Sequence, residues 1–249
     1  MLNKLTLTIL TAVLLTIAGA TTSLAGPGNG NGGGGGGGGS SSSLTGDEVD
    51  NLLFMREEEK LARDTYWAMY DLWGLAIFDN ISESEKSHMD ALETLIDKYG
   101  LEDPIKGVGE FYDDNLQDLY NYLIGVGGGS ETDGLKVGAL IEETDIVDIY
   151  DAITVTSKTD IVSTYESLVC GSRNHLRSFI SQIDNNGGSY EPQVLGIEVE
   201  GKDSDFWIAF WDIIGYEDFW ALATSDMERD CGTNTETSNA RYRNGNGKN

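Results

Sequence analysis

Cationic side chains, cysteines and histidines are all scarce in this chain of 249 residues. It has 16 lysines and arginines against 42 acids, a formal charge of -26, and only two cysteines and two histidines. So acidic a chain repels phosphate, which argues against nucleic acid as a partner. The N-terminal apolar run at 5–17 is shorter than the roughly 20 residues needed to span a bilayer, and no later segment is long and apolar enough. No Ser-His-Asp arrangement stands out, and the glycine run at 26–39 lacks the Lys-Ser/Thr and the preceding strand of a phosphate loop. The pair Cys170 and Cys231 has two readings. In an oxidising compartment they would form a disulfide tying the C-terminal tail to the last core helix. Otherwise they are free thiols, with Cys170 a small buried apolar residue, and neither reading is catalytic.

What is present begins with Lys4, an apolar run at 5–17 and the small-x-small triplet Ser23, Leu24, Ala25. These predict a secretory signal peptide over 1–25 and a secreted or extracytoplasmic protein; a membrane partner is expected only if the signal stays uncleaved. A Gly/Ser-rich linker follows at 26–46. From Asp47 onward apolar residues recur at helical spacing, interrupted at Gly74, 100–104, 125–129 and 154–159. The pattern predicts long helices over 47–72, 81–99, 131–153 and 159–183, and a short one over 113–123. The fold class is therefore all-α, a bundle domain at 47–197 with a short extra helix between its second and third long helices. A closing extended segment is expected at 190–195, and a Trp-rich C-terminal segment over 198–231 is read as one more helix packed on the bundle. The polar tail at 232–249 is expected to be disordered.

The informative residues are acids and imidazoles placed on apolar stripes. In the first long helix Glu59 fills one step of the series Leu52, Met55, Ala62, Tyr66, Met69 and Trp73. Glu85 and His88 share one face of the second, running into Leu92, Leu95 and Tyr99. Glu142 occupies the central step of the third stripe and His175 that of the fourth. Unpartnered buried carboxylates are costly and repel one another, so cations are needed. Three carboxylates and two imidazoles converging inside a bundle match a carboxylate-bridged dinuclear site. One metal would take Glu59 and His88, the other Glu142 and His175, with Glu85 bridging. This donor set favours two iron or manganese ions, with zinc also compatible. Glu58 and Glu143 adjoin the chosen acids and are alternative ligands, or else part of solvated faces. Asp145, one turn beyond Glu142, is a candidate to orient a histidine or join the metals. Arg173 and Arg177 either balance the acidic core or form surface ion pairs.

Four segments carry a resemblance: MREEEKLARD at 55–64, ESEKSHMD at 83–90, VGALIEETDI at 137–146 and GSRNHLR at 171–177. Over about residues 47–195 the chain resembles the ferritin-like superfamily, and more closely its family known as domain of unknown function 2202. The resemblance implies a ferritin-like up-down four-helix bundle with a di-iron or di-manganese centre. Rubrerythrin-like relatives carry Glu-x-x-Ala-Arg-x-x-Tyr in their first helix, matched here by Glu59, Ala62, Arg63 and Tyr66. That match implies Glu59 over Glu58, and Tyr66 as the candidate catalytic residue, hydrogen bonding beside the metals. Many relatives have a second glutamate three or four residues before the last histidine, where this chain has Ser172 and Gly171. The remaining five-ligand set is similar to that of manganese catalases. Rubredoxin-type cysteine pairs are absent from the sequence.

The function these readings favour is peroxide- or oxygen-linked redox chemistry by a catalase-, peroxidase- or ferroxidase-like oxidoreductase. Its partners would be a small-molecule oxidant or a metal ion, and an oligomer is compatible with the fold. The alternative is a non-catalytic secreted metal-binding or surface interaction protein, to which the Gly linker and the Trp-rich segment lend some weight.

Overall fold

Thr45 starts the first helix. Its Oγ1 accepts a hydrogen bond from Glu48 N at 3.2 Å, while the Glu48 carboxylate accepts from Thr45 N at 2.8 Å. This reciprocal box satisfies two amides that the first helical turn leaves open. Helix α1 (Gly46–Trp73) then runs to Gly74, where φ of 67° suits a residue without Cβ. The computed structural model describes residues 43–196, 208, 210 and 217–224, and all regular structure among them is helical. After α1 come α2 (Ala76–Tyr99), α3 (Asp114–Gly127), α4 (Glu131–Thr154), α5 (Thr159–Asn185) and α6 (Phe219–Thr224). The expected signal peptide, nearly all of the linker, Cys231, most of the Trp-rich segment and the 232–249 tail lie outside the described residues.

The predicted helices are present, with two boundaries clearly displaced: α3 runs on to Gly127 rather than 123, and α2 starts at Ala76 rather than 81. Leu75 offers no side-chain cap bond, so no polar start signal marks the place where the chain turns back after Gly74. The 190–195 segment is neither helix nor strand. Instead it is held by the Glu143 carboxylate, which accepts from Tyr190 Oη at 2.6 Å, Gln193 N at 2.9 Å and Leu195 N at 3.3 Å.

Residue pairings fix the direction of each long helix. Arg56 meets Glu93 and Glu59 meets His88, so α2 runs against α1. Lys98 meets Asp160 and Glu85 meets His175, so α5 runs against α2. Asp145 meets Ser172 and Gly138 meets Phe179, so α4 runs against α5. Tyr66 meets Glu142 and Trp73 meets Gly134, so α4 also runs against α1. It follows that α2 and α4 point the same way, whereas the expected up-down order would have them opposed. The segment 100–130, long enough to return along the molecule and carrying α3, makes this crossover.

That crossover is fastened to α1 by buried charge. Lys60 is fully buried; its Nζ lies 2.6 Å from Asp64 Oδ2, donates to Glu110 O at 2.9 Å and sits 4.0 Å above the Phe111 ring. Asp64 is further satisfied by Arg63 and by Gly109 N at 2.9 Å. The Glu57 carboxylate accepts from Tyr112 N and Asp113 N. Between the helices the core is aromatic at one level: Tyr66, Phe78 and Phe179 are all fully buried, with ring centroids 5.3 to 6.3 Å apart. Each such side chain stabilises the fold by about 1.5–3 kcal/mol. Arg177 donates Nε to Leu222 O at 2.9 Å, docking α6 on α5.

Candidate metal centre

Stripe positions on α1, α2, α4 and α5 carry Glu59, Glu85 with His88, Glu142 and His175 into one buried space. The three carboxylates are each 1% exposed, and the side chains of both histidines are 11% exposed. His88 Nδ1 lies 3.1 Å from Glu59 Oε2 and 2.8 Å from Glu85 Oε2. His175 Nδ1 lies 2.7 Å from Glu85 Oε1 and 3.5 Å from Glu142 Oε2. The two imidazoles stack with centroids 5.6 Å apart. Glu85 therefore stands between two sets, Glu59–Glu85–His88 and Glu85–Glu142–His175. In each set the ligand atoms all lie within 4.8 Å of one another, and each set could hold a metal ion.

Hydrogen bonding alone does not satisfy this cluster. An imidazole Nδ1 carries at most one proton, so His88 cannot donate to both carboxylates that flank it. Glu59 Oε1, Glu85 Oε1 and His175 Nδ1 are buried and make no hydrogen bond, the 2.7 Å approach of the last two being misaligned. Orphaned carboxylate oxygens facing imidazole nitrogens are the surroundings that a cation fits. Tyr66 Oη donates to Glu142 Oε1 at 2.5 Å, fixing one acid from α1. His175 is steadied from its other side, where Nε2 lies 2.9 Å from Ser84 Oγ.

Burial pushes the Glu59 carboxyl up to about 7 against the opposing pull of His88. Burial, reinforced by the Glu85 charge, does the same for Glu142, also to about 7. Glu85 moves the other way: burial opposes its charge, yet His175 and His88 hold it below the usual carboxylate range. Burial likewise disfavours charged imidazole, but Glu85 and Glu142 lift His175 to about 10, and Glu59 and Glu85 lift His88 well above its ordinary value. Protons and cations thus compete for the same atoms.

The uncharacterized protein domain family DUF2202 matches residues 48–201, a span that contains all of these side chains. The chain belongs to the DUF2202 family. It is similar to the uncharacterized protein MJ0754 of Methanocaldococcus jannaschii, at 46% identity over 157 residues, covering 62% of this chain and 85% of that protein. It is also similar to the crystal structure of hypothetical protein MJ0754 from Methanococcus jannaschii. There the TM-score is 0.64 at 39% identity, with 76% of this chain and 98% of that chain covered.

Within this DUF2202 domain the neighbouring acids have separate surroundings. Glu143 is turned away to the 190–195 segment, and burial raises its carboxyl to about 7 despite the hydrogen bonds from Tyr190, Gln193 and Leu195. Glu58 interacts with Asp148 and Asp145 rather than with an imidazole. The run 57–59 is buried throughout, so its reading as a solvated face is corrected: a helix enclosed on several sides has no outward face there. Arg177 donates Nε to Leu222 O on α6 and Nη1 to Asn174 Oδ1. Cys170 is disulfide-bonded, and the sequence holds one other cysteine, Cys231. Two residues matter here that periodicity did not single out. Gly171 leaves room for the His88 ring, since a Cβ there would lie 2.4 Å from Nε2, and Ser84 reaches His175. A small residue facing an imidazole across two helices leaves no mark in one-dimensional spacing.

Proposed function

We propose that this protein is an exported, ferritin-like metal-dependent oxidoreductase whose centre is a pair of iron or manganese ions. The observation that carries the reading is the pair of buried ligand sets sharing Glu85. A single long crossover between the second and third long helices is also the connectivity of ferritin-like bundles. Oxygen donors mixed with one imidazole per set suit iron and manganese. Export is supported by the N-terminal apolar run and by the disulfide at Cys170, since such bonds persist in oxidising compartments.

Glu59 with His88 would hold one ion and Glu142 with His175 the other, with Glu85 across both. Bound iron or manganese supplies electron exchange with peroxide or dioxygen. The protein's own part is to orient and to exclude water. Tyr66 holds Glu142 in place and keeps a proton within reach of the centre, because burial and then Glu142 push its hydroxyl pKa well up. Ser84 sets the His175 ring angle. The Tyr66, Phe78 and Phe179 rings keep that end of the interior dry.

Metal content per chain, measured by mass spectrometry on protein purified without chelators, tests the reading. About two iron or manganese ions, lost in Glu85→Ala, together with peroxide consumption by the loaded protein, are expected. Absence of stoichiometric metal from the wild-type protein would refute it. A full metal complement without turnover would leave the binding role in place of the enzymatic one.

A further inference from the structure

The proposed site is uneven in a way its own helices reveal. Helix α2 contributes a Glu-x-x-His pair, Glu85 and His88, whereas α5 contributes Ser172 and His175 at the same spacing. Positions three apart on a helix share a face, so Ser172 stands where a matching carboxylate would stand. The serine is fully buried, and its Oγ is within hydrogen-bond reach of Asp145 Oδ2 on α4 and of Leu168 O one turn back at 3.0 Å, its single proton serving one or the other. Asp145 is itself 5% exposed, and its Oδ1 has no hydrogen-bond partner. Asp145 lies one turn beyond Glu142 on the same face of α4, and the charges of Glu59, Glu142 and Glu85 bear on it.

Charge counting gives this acid a purpose. Two divalent ions bring four positive charges, ligand imidazoles are neutral, and Glu59, Glu85 and Glu142 return three negative ones. One uncompensated charge would remain in a water-poor interior, where it is costly. On the dinuclear reading above, we propose that Asp145 is the fourth carboxylate of the metal centre, supplied by α4 in place of an α5 glutamate and positioned by the Ser172 hydroxyl. The fourth negative charge has thus moved from one helix to its neighbour, and serine is the residue that permits the exchange. A longer side chain at 172 would occupy the space into which Asp145 reaches.

Manganese(II) titration of the full chain, followed by the electron paramagnetic resonance of free and spin-coupled manganese, tests this assignment. The wild type is expected to take two ions with a coupled signal. Asp145→Asn keeps shape and removes charge; it should weaken the second ion about 10–100-fold and abolish the coupled signal. Ser172→Ala keeps the acid but frees it, and should weaken binding by a smaller factor, about 10-fold. The metal-free Asp145→Asn protein should melt at or above the wild-type temperature, because it no longer buries an acid. Wild-type affinity and coupling in Asp145→Asn would overturn the assignment while leaving the dinuclear centre standing. So would a fall in metal-free stability as large as the loss of binding, which would make Asp145 a structural acid. If the wild type binds no ion pair, the dinuclear reading fails and this inference fails with it.

Discussion

Replacing Gly171 with alanine should separate metal affinity from fold stability. A Cβ at 171 would lie 2.4 Å from His88 Nε2 and 2.6 Å from Cε1, while ordinary contact starts at 3.4 Å. The ring must then retreat by about 1 Å, a shift comparable to the tolerance of a preorganised ligand set. A ring shifted by that much no longer keeps Nδ1 at its 3.1 and 2.8 Å spacing from Glu59 and Glu85. Displacing a positioned ligand in this way weakens metal binding by about 10–100-fold, or ~1.4–2.7 kcal/mol. Alanine is meanwhile favoured over glycine inside a helix by about 1 kcal/mol. That gain offsets part of the overpacking cost of about 1–3 kcal/mol, so the metal-free variant should melt only slightly below the wild type while its manganese affinity falls much further. Calorimetric titration and a thermal melt on the same sample read both quantities. Unchanged affinity would mean that the His88 ring is not held by those two carboxylates, and the proposed ligand geometry on that side would be wrong.

Three further outcomes follow from described contacts. Raised carboxyls favour the folded state below their unfolded pKa: Glu59 and Glu142 contribute fully below 4.5 and lose that contribution as pH rises through about 7. His175, raised from 6.5 to about 10, loses its contribution over that higher window, while the lowered Glu85 acts with opposite sign only in acid. Metal-free protein should thus melt lower, and bind manganese more tightly, as pH rises from about 5.5 to 8.5; a flat profile in both would contradict the assigned cluster. Glu143→Ala strands the Tyr190, Gln193 and Leu195 donors and should cost about 3 kcal/mol, with metal stoichiometry intact; loss of an ion would move Glu143 into the centre. Cys170→Ser should lower stability by about 2–4 kcal/mol under oxidising conditions, and no change in the denaturation midpoint would show that the disulfide does not constrain the unfolded chain.

Much of the fold and of the site can be read from spacing, for a physical reason. A carboxylate or imidazole on an otherwise apolar stripe is a local anomaly, so Glu59, Glu85, His88, Glu142 and His175 declare themselves one helix at a time, and the structure brings them into one space. What spacing hides is what one helix does to another. Glu58 differs from Glu59 by about 100° of rotation, yet only the packing of α4 shows that it meets acids rather than an imidazole. The direction of α4 depends on where the 100–130 segment is fastened, through Lys60 and Glu57 to Glu110, Tyr112 and Asp113, and such contacts have no periodicity. The start of α2 was hidden because Leu75 caps nothing. Ser172 and Gly171 register in sequence only as missing glutamates, and their positive uses appear once α4 and α2 lie beside them.

The run 57–59 raises a question of register. Three identical side chains in succession could exchange places by a one-residue rotation of α1 with no change in composition. Yet Glu57 caps the crossover at Tyr112 and Asp113, Glu58 faces Asp145 and Asp148, and Glu59 faces His88. A helix slipped by one residue would present a glutamate at two of the three stations, from the wrong Cα, and Arg56 or Lys60 at the third. What distinguishes the states is the unlike residues bracketing the run, Arg56 held by Met89 O and Asp103, and Lys60 held by Asp64 and Glu110. These two cations act as index marks on a rotating dial, so a repetitive acidic stretch can be read in only one phase.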